Sequence, residues 1–127
     1  MRRARTFQSR PIAFGANCGV GPSQLLDSVV GLVRGAEGAT VVVAKGNCGM
    51  PVLGPDRKVT YNATPELFAT YGRLARDAGA RIIGGCCGTT AEHIKSMAHA
   101  LATCPKGPPP SYAEIEKQLG TLTITTK

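Results

Sequence analysis

Short apolar runs recur along this chain, each ending in a glycine-rich stretch and each followed by a longer segment with helical spacing. Pro11-Ile12-Ala13-Phe14-Gly15 leads into Ala16 to Gly21 and reads as a buried strand followed by a turn. Leu25, Leu26, Val29, Val30 and Val33 then fall on one helical face, with Ser23 as N-cap and Gly35 as the stop. Gly31 weakens that helix. The second unit opens with Thr40-Val41-Val42-Val43-Ala44, a β-branched run without alternation, as expected of a parallel strand covered on both faces. It ends in Lys45-Gly46-Asn47-Cys48-Gly49, and Met50 to Ala63 reads as a long loop of the kind that is often functional. Thr64-Pro65-Glu66 is a strong helix start, an N-cap followed by proline and an acid, with Leu67, Phe68, Tyr71, Leu74, Ala75 and Ala78 on the buried face and Gly79 at the end.

The third unit is Ala80-Arg81-Ile82-Ile83 as strand, Gly84-Gly85-Cys86-Cys87-Gly88 as turn, and a helix from about Thr90 to Thr103. Thr89 and Glu92 have the spacing of a capping box. Three strand-turn-helix units in succession predict an α/β fold with a parallel sheet, the helices acting as crossovers. No other internal repeat is present. In such folds ligands bind beyond the C-terminal ends of the strands, and Cys18, Cys48, Cys86 and Cys87 all fall at that end. The chain divides into a basic arm at 1–10, a folded domain at 11–104, and a Pro-rich, flexible tail at 105–127 that reads as peripheral. Tyr112 to Leu119 has the pattern of a short amphipathic helix within that tail.

Composition narrows the function. At 127 residues the chain is a single domain, with 43% hydrophobic and 18% charged residues, values that exclude a disordered polymer. The net charge of +7 raises the question of a nucleic-acid partner. Arg2, Arg3, Arg5 and Arg10 crowd the first ten positions, however, and the remaining basic residues are scattered without interleaved aromatics. That pattern favours a charged terminal arm over a nucleic-acid surface or an Arg-rich targeting peptide. Absence of a long apolar run or a signal-type segment excludes a membrane-embedded role and favours the cytoplasm.

Five cysteines, an odd number without a secretory signal, argue against a disulfide framework and for metal or catalytic use. Cys18, Cys86 and Cys87 can supply three thiolates to one metal, provided the backbone bends so that the adjacent pair share a side. Gly84, Gly85 and Gly88 permit that bend at the pair, and Gly15, Gly19 and Gly21 do so around Cys18. From spacing alone a redox or vicinal-disulfide pair and inert buried thiols remain open beside the metal reading, although the C-x-x-C redox spacing is absent. Cys104 reads as a small hydrophobe. Gly19-Val20-Gly21-Pro22-Ser23-Gln24 lacks the third glycine of a dinucleotide fingerprint and has proline where the helix opens. His93 and His99, six apart on one helix, cannot form an i, i+4 metal pair, and His93 is expected to face solvent.

Gly15-Ala16-Asn17-Cys18, Lys45-Gly46-Asn47-Cys48-Gly49-Met50-Pro51 and, above all, Gly84-Gly85-Cys86-Cys87-Gly88-Thr89-Thr90-Ala91-Glu92-His93-Ile94 resemble the C-terminal part of the homocysteine S-methyltransferases, the betaine-homocysteine methyltransferases among them. The resemblance extends over residues 11 to 102. It implies part of a TIM (β/α)8 barrel, with zinc bound by the residues that match its ligands, Cys18, Cys86 and Cys87. It further implies methyl transfer to the homocysteine thiol, forming methionine, with betaine the favoured donor and S-methylmethionine or methyl-folates as alternatives. Cys48 stands where the family usually has alanine, and Ala91 where it usually has proline.

A full barrel takes about 250 residues and eight strands. The family's groups for the amino and carboxylate ends of homocysteine, and most of its donor pocket, belong to the earlier part of the barrel. The alternative is therefore a non-catalytic zinc-binding remnant, or one piece of a split barrel that a complementary barrel portion or a homo-oligomer completes.

Overall fold

The computed structural model describes residues 11–36 and 40–120, so the basic arm and the last seven residues lie outside it. The apolar runs form three parallel strands, β1 (Ala13–Asn17), β2 (Val41–Gly46) and the strand at Ile82–Gly85, here called β5, in the order β1-β2-β5. Each strand runs two residues further than its apolar run, into the glycine-rich stretch. Lys45 pairs with Gly84 and Gly46 with Gly85, so these two glycines belong to the ladder and not to the turn. Gly85 is required for close approach: a Cβ there would lie 2.2 Å from the Thr89 hydroxyl oxygen.

Helix α1 (Pro22–Gly35) begins two residues earlier than Ser23 as N-cap predicts. Gly21 is its N-cap and Pro22 occupies N1, where the missing N–H costs nothing. Ser23 is buried inside the first turn. Helix α2 (Pro65–Ala78) follows its sequence signals: Thr64 Oγ accepts the Leu67 N–H at 3.1 Å, and Gly79 closes the helix at φ 117°. Helix α3 (Ala91–Thr103) has Thr90 as its N-cap, and the side chain returning to that cap is His93, not Glu92. It packs along α2 closely enough that a Cβ on Gly72 would lie 2.4 Å from Met97 Cγ.

Two segments depart from expectation. The stretch from Met50 to Ala63 contains an antiparallel hairpin, β3 (Pro51–Leu53) and β4 (Val59–Tyr61), with Val52 opposite Thr60. Two prolines and a glycine obscured strands of only three residues each, too short to show an alternation. In the tail, helix α4 (Tyr112–Leu119), capped by Ser111, has the amphipathic pattern expected of it and places Ile115 and Leu119 in the core, so residues 112–119 pack against the domain and are not peripheral to it.

The core lies on one face of the sheet. Val42 and Ala44 of β2 are buried beneath Leu25, Leu26 and Val29 of α1 and Phe68, Tyr71 and Ala75 of α2. Along β2 burial alternates, with Val41 and Val43 half-buried and Lys45 exposed. The expectation of cover on both faces therefore fails among the described residues: the second face, carrying Gly15, Asn17, Lys45 and Ile82, is open. A parallel sheet with one bare face is compatible with a segment of barrel wall, where inner side chains pack against those of other strands. No helix of the described residues is long and apolar enough to cross a membrane.

Candidate metal centre

The parallel register aligns the C-terminal ends of β1, β2 and β5, and the turns that leave them meet. Cys18 directly follows β1, and its N–H donates to Lys45 O at 2.9 Å, extending the ladder by one bond. The chain then turns sharply, with Cys18 itself in the left-handed region at φ 62° and Gly19 at φ 79°. A non-glycine residue there costs roughly 1–2 kcal/mol. Of the three glycines expected to permit the bend, Gly19 shares it with the cysteine itself, while Gly15 lies within β1 and Gly21 is the extended N-cap of α1.

Cys86 continues β5, its N–H donating to Gly46 O at 2.9 Å. Thr89 N–H returns to Cys86 O at 3.2 Å across Gly88, whose φ is 78°. This turn is the bend that lets neighbouring cysteines face one ligand. The Cys18 and Cys87 sulfurs are 3.6 Å apart, those of Cys86 and Cys87 3.9 Å, and all three lie within 4.8 Å of one another. A tetrahedral zinc with bonds of about 2.3 Å sets its sulfurs about 3.8 Å apart, so the donor set fits. Cys18 and Cys86 are half-buried and Cys87 is exposed, leaving one side of the cluster open.

The neighbouring thiols compete for negative charge, the contact that lowers one raising the other. Hydrogen bonds from the Cys86 thiol, then from the Gly19 N–H and the Cys87 thiol, hold Cys18 below the usual thiol range. The same contact with Cys18, followed by burial, pushes Cys86 up. A divalent cation removes this competition, because it favours the deprotonated form of every sulfur it touches.

Several groups around the cluster are not among the candidate site residues read from the sequence. Asn47 is buried, at 5% exposure, and its Oδ1 accepts the Cys87 N–H at 3.3 Å. The same side chain helps to hold Cys18 down, so it faces both cysteine-bearing turns. Tyr61 of β4 lies against Gly88, where a Cβ would come within 2.5 Å of the tyrosine's own Cβ, and the Cys87 thiol beside its phenol pushes that phenol up. Tyr71 ties the strand ends together from below: its hydroxyl accepts the Gly46 N–H at 3.1 Å and donates to Gly84 O at 3.4 Å. Burial pushes its phenol far above the usual range. The one clue was that Asn47 falls within the Lys45 to Pro51 stretch that carries the family resemblance; Tyr71 reads as a core residue of a helix and Tyr61 as part of a loop.

The remaining cysteines stay apart from the cluster. Cys48 is fully buried beneath the turn, its sulfur 3.2 Å from Thr89 Oγ, and burial pushes its thiol up. Cys104 caps the end of α3. His99 is exposed, but His93, expected to face solvent, is half-buried, with Nε2 2.9 Å from Ala63 O and its ring edge-on to Phe68 at 5.7 Å.

The sequence is also similar to known proteins. The chain is similar to methionine synthase of Mycobacterium leprae (strain TN), with 35% identity over 97 residues. Those residues make up 76% of this chain and 8% of that protein, so the chain spans a small fraction of its relative's length. The profile of the homocysteine S-methyltransferase family matches residues 2–101, which include both cysteine-bearing turns and the helices between them. The chain belongs to the homocysteine S-methyltransferase family.

Proposed function

We propose that this chain forms the zinc-thiolate part of a homocysteine S-methyltransferase, with Cys18, Cys86 and Cys87 as the metal ligands and residues 11–104 as the unit that carries them. The observation that carries the reading is the meeting of three sulfurs at the strand ends, at separations suited to a tetrahedral ion. Zinc bound there would hold the homocysteine sulfur as a thiolate at its open position, ready to attack an electrophilic methyl group. The protein residues do the rest of the local work. Gly19 N–H and Asn47 stabilise charge on Cys18, while the Gly46–Cys86 and Asn47–Cys87 hydrogen bonds set the direction of the other two thiols. No general base is needed, since the nucleophile is already deprotonated.

Betaine is the donor we favour, on the likeness of the stretch from 46 to 94. The bare sheet face supports a second element of the reading. Gly15, Asn17 and Lys45 line a wall that a complementary barrel portion would cover, and in the absence of such a portion the chain would bind zinc without catalysis. Metal analysis of the purified, reduced chain, paired with a methionine-formation assay with and without the remaining barrel, tests the proposal. Failure to retain zinc would overturn it.

A further inference from the structure

A closed ring of hydrogen bonds surrounds the second cysteine turn, and none of its links passes through a sulfur. Cys48 N–H donates to Cys87 O at 3.0 Å, and Ala63 N–H donates to Cys48 O at 2.9 Å. Ala63 O is met by His93 Nε2 at 2.9 Å. On the other side of the imidazole, Nδ1 lies 3.2 Å from Thr90 N and 2.8 Å from Thr90 Oγ. From Thr90 the backbone runs through Thr89 and Gly88 to Cys87, closing the ring.

The donors and acceptors determine the tautomer. A carbonyl oxygen only accepts, so Nε2 carries the proton; a backbone N–H only donates, so Nδ1 is bare. His93 is therefore the ring member whose two links both run through its side chain, one nitrogen giving a hydrogen bond and the other receiving one. Its imidazole is half-buried and packed edge-on to Phe68 of α2, so both bonds are made from a fixed position.

We propose that His93, as the neutral Nε2–H tautomer, is a positioning residue that locks the turn from Cys86 to Thr90 against the junction of β4 and α2. The lock deepens the zinc-thiolate reading and relies on it for its metal readout, but the ring itself is testable in the metal-free chain. The simplest competing account is that His93 only caps α3. The Thr90 bond alone satisfies that role, because side chains at the third helical position commonly reach back to the cap. The bond to Ala63 O adds nothing to a cap, and it is the link that joins the cysteine turn to a different element. Groups that orient metal ligands from outside the coordination sphere commonly change metal affinity 10- to 100-fold when lost.

Three substitutions in the full chain separate the two accounts. His93→Gln supplies both an acceptor for Thr90 and a donor for Ala63; His93→Glu supplies the acceptor only; His93→Leu supplies neither. In the metal-free chain, amide hydrogen exchange at Cys48 and Ala63 is expected to accelerate in the Glu and Leu variants and to stay near the parent rate in the Gln variant. In the zinc-loaded chain, a competing chelator is expected to extract metal roughly 10-fold faster from the Glu and Leu variants. With cobalt(II) in place of zinc, their sulfur-to-metal absorption is expected to shift, while the Gln variant keeps the parent spectrum. Nitrogen NMR of the parent should find Nε2 protonated and Nδ1 bare. Parent-like exchange and metal release in His93→Glu would reduce His93 to a helix cap and overturn the proposal, as would a protonated Nδ1 or a Gln variant as impaired as Leu. Should His93→Leu fail to fold, the Gln and Glu pair still decides. Should the parent bind no zinc, the functional reading fails while the exchange measurement still judges the lock.

Discussion

The side-chain oxygen of Asn47 accepts the backbone N–H of Cys87 across forty residues of sequence, at 3.3 Å. Asn47 leaves β2 and Cys87 follows β5, so this bond fixes one cysteine turn to the strand beside it, while the same amide also faces Cys18. Asn47→Ala leaves the Cys87 N–H without that partner, at a cost of about 1–3 kcal/mol where the group is kept from water. Chemical denaturation of the metal-free chain should register the loss. Zinc affinity should fall by roughly 10-fold or more, measured against a competing chelator.

Zinc content should be about one ion per chain, as the tetrahedral fit of three sulfurs implies. Cys18→Ala, Cys86→Ala and Cys87→Ala should each lower metal content, and Cys104→Ala should not. Thermal melts with and without chelator should differ in midpoint, because an ion bound only by the folded form stabilises it. Retention of zinc by Cys87→Ala together with its loss from Cys104→Ala would refute the ligand set.

Cys48 should behave as a buried thiol. With no exposed surface, it should react with an alkylating reagent far more slowly than Cys87 at the same pH, as peptide mass mapping would reveal. Burial raises its folded-state pKa above the unfolded value. Its contribution to stability is therefore fully present below the unfolded thiol pKa and is lost as pH rises through the folded one. Cys48→Ala should flatten the alkaline limb of the stability profile.

Much of this architecture was legible because local chemistry and tertiary context agree. The Thr64-Pro65-Glu66 start and the Gly79 stop of α2 appear where their capping chemistry puts them. The Gly84 to Ile94 and Gly15 to Cys18 stretches carry the family resemblance in the sequence itself, and the sulfurs of Cys18, Cys86 and Cys87 within them do converge. Legibility failed where a residue's role depends on something distant in sequence. Gly85 looked like a turn residue, yet it is glycine because Thr89 packs against it. His93 looked solvent-facing, because nothing near it in sequence announces Ala63 O as its partner. The β3–β4 hairpin has strands too short for a period to emerge.

Helix α4 illustrates the same limit in the tail. Its amphipathic pattern was visible, but only packing reveals that Ile115 is fully buried against the rest of the core. Ile115→Ala should destabilise the chain by about 2–5 kcal/mol, the usual range for removing a large buried aliphatic side chain. Truncation after Pro110 should cost more, since Leu119 is buried as well. Denaturant unfolding of both variants would check this, and parent-like midpoints would return the segment to the status of a peripheral tail.

The final expectation concerns catalysis by the chain alone. Even with zinc bound, a methyl donor present and homocysteine supplied, we expect no measurable methionine formation. A thiolate is only half of a two-substrate transfer; holding nucleophile and methyl group in line is worth on the order of 7–11 kcal/mol in favourable cases. The described residues provide the thiolate side and leave the face with Gly15, Asn17 and Lys45 open, so water can reach the cluster and weaken its electrostatic control. Adding the earlier part of a related barrel should restore turnover if it covers that face. The control is Cys86→Ala, which should remain inactive in every mixture. Methionine formed by the chain alone, and abolished by Cys86→Ala, would mean that three strands, through self-association or otherwise, suffice to align both substrates.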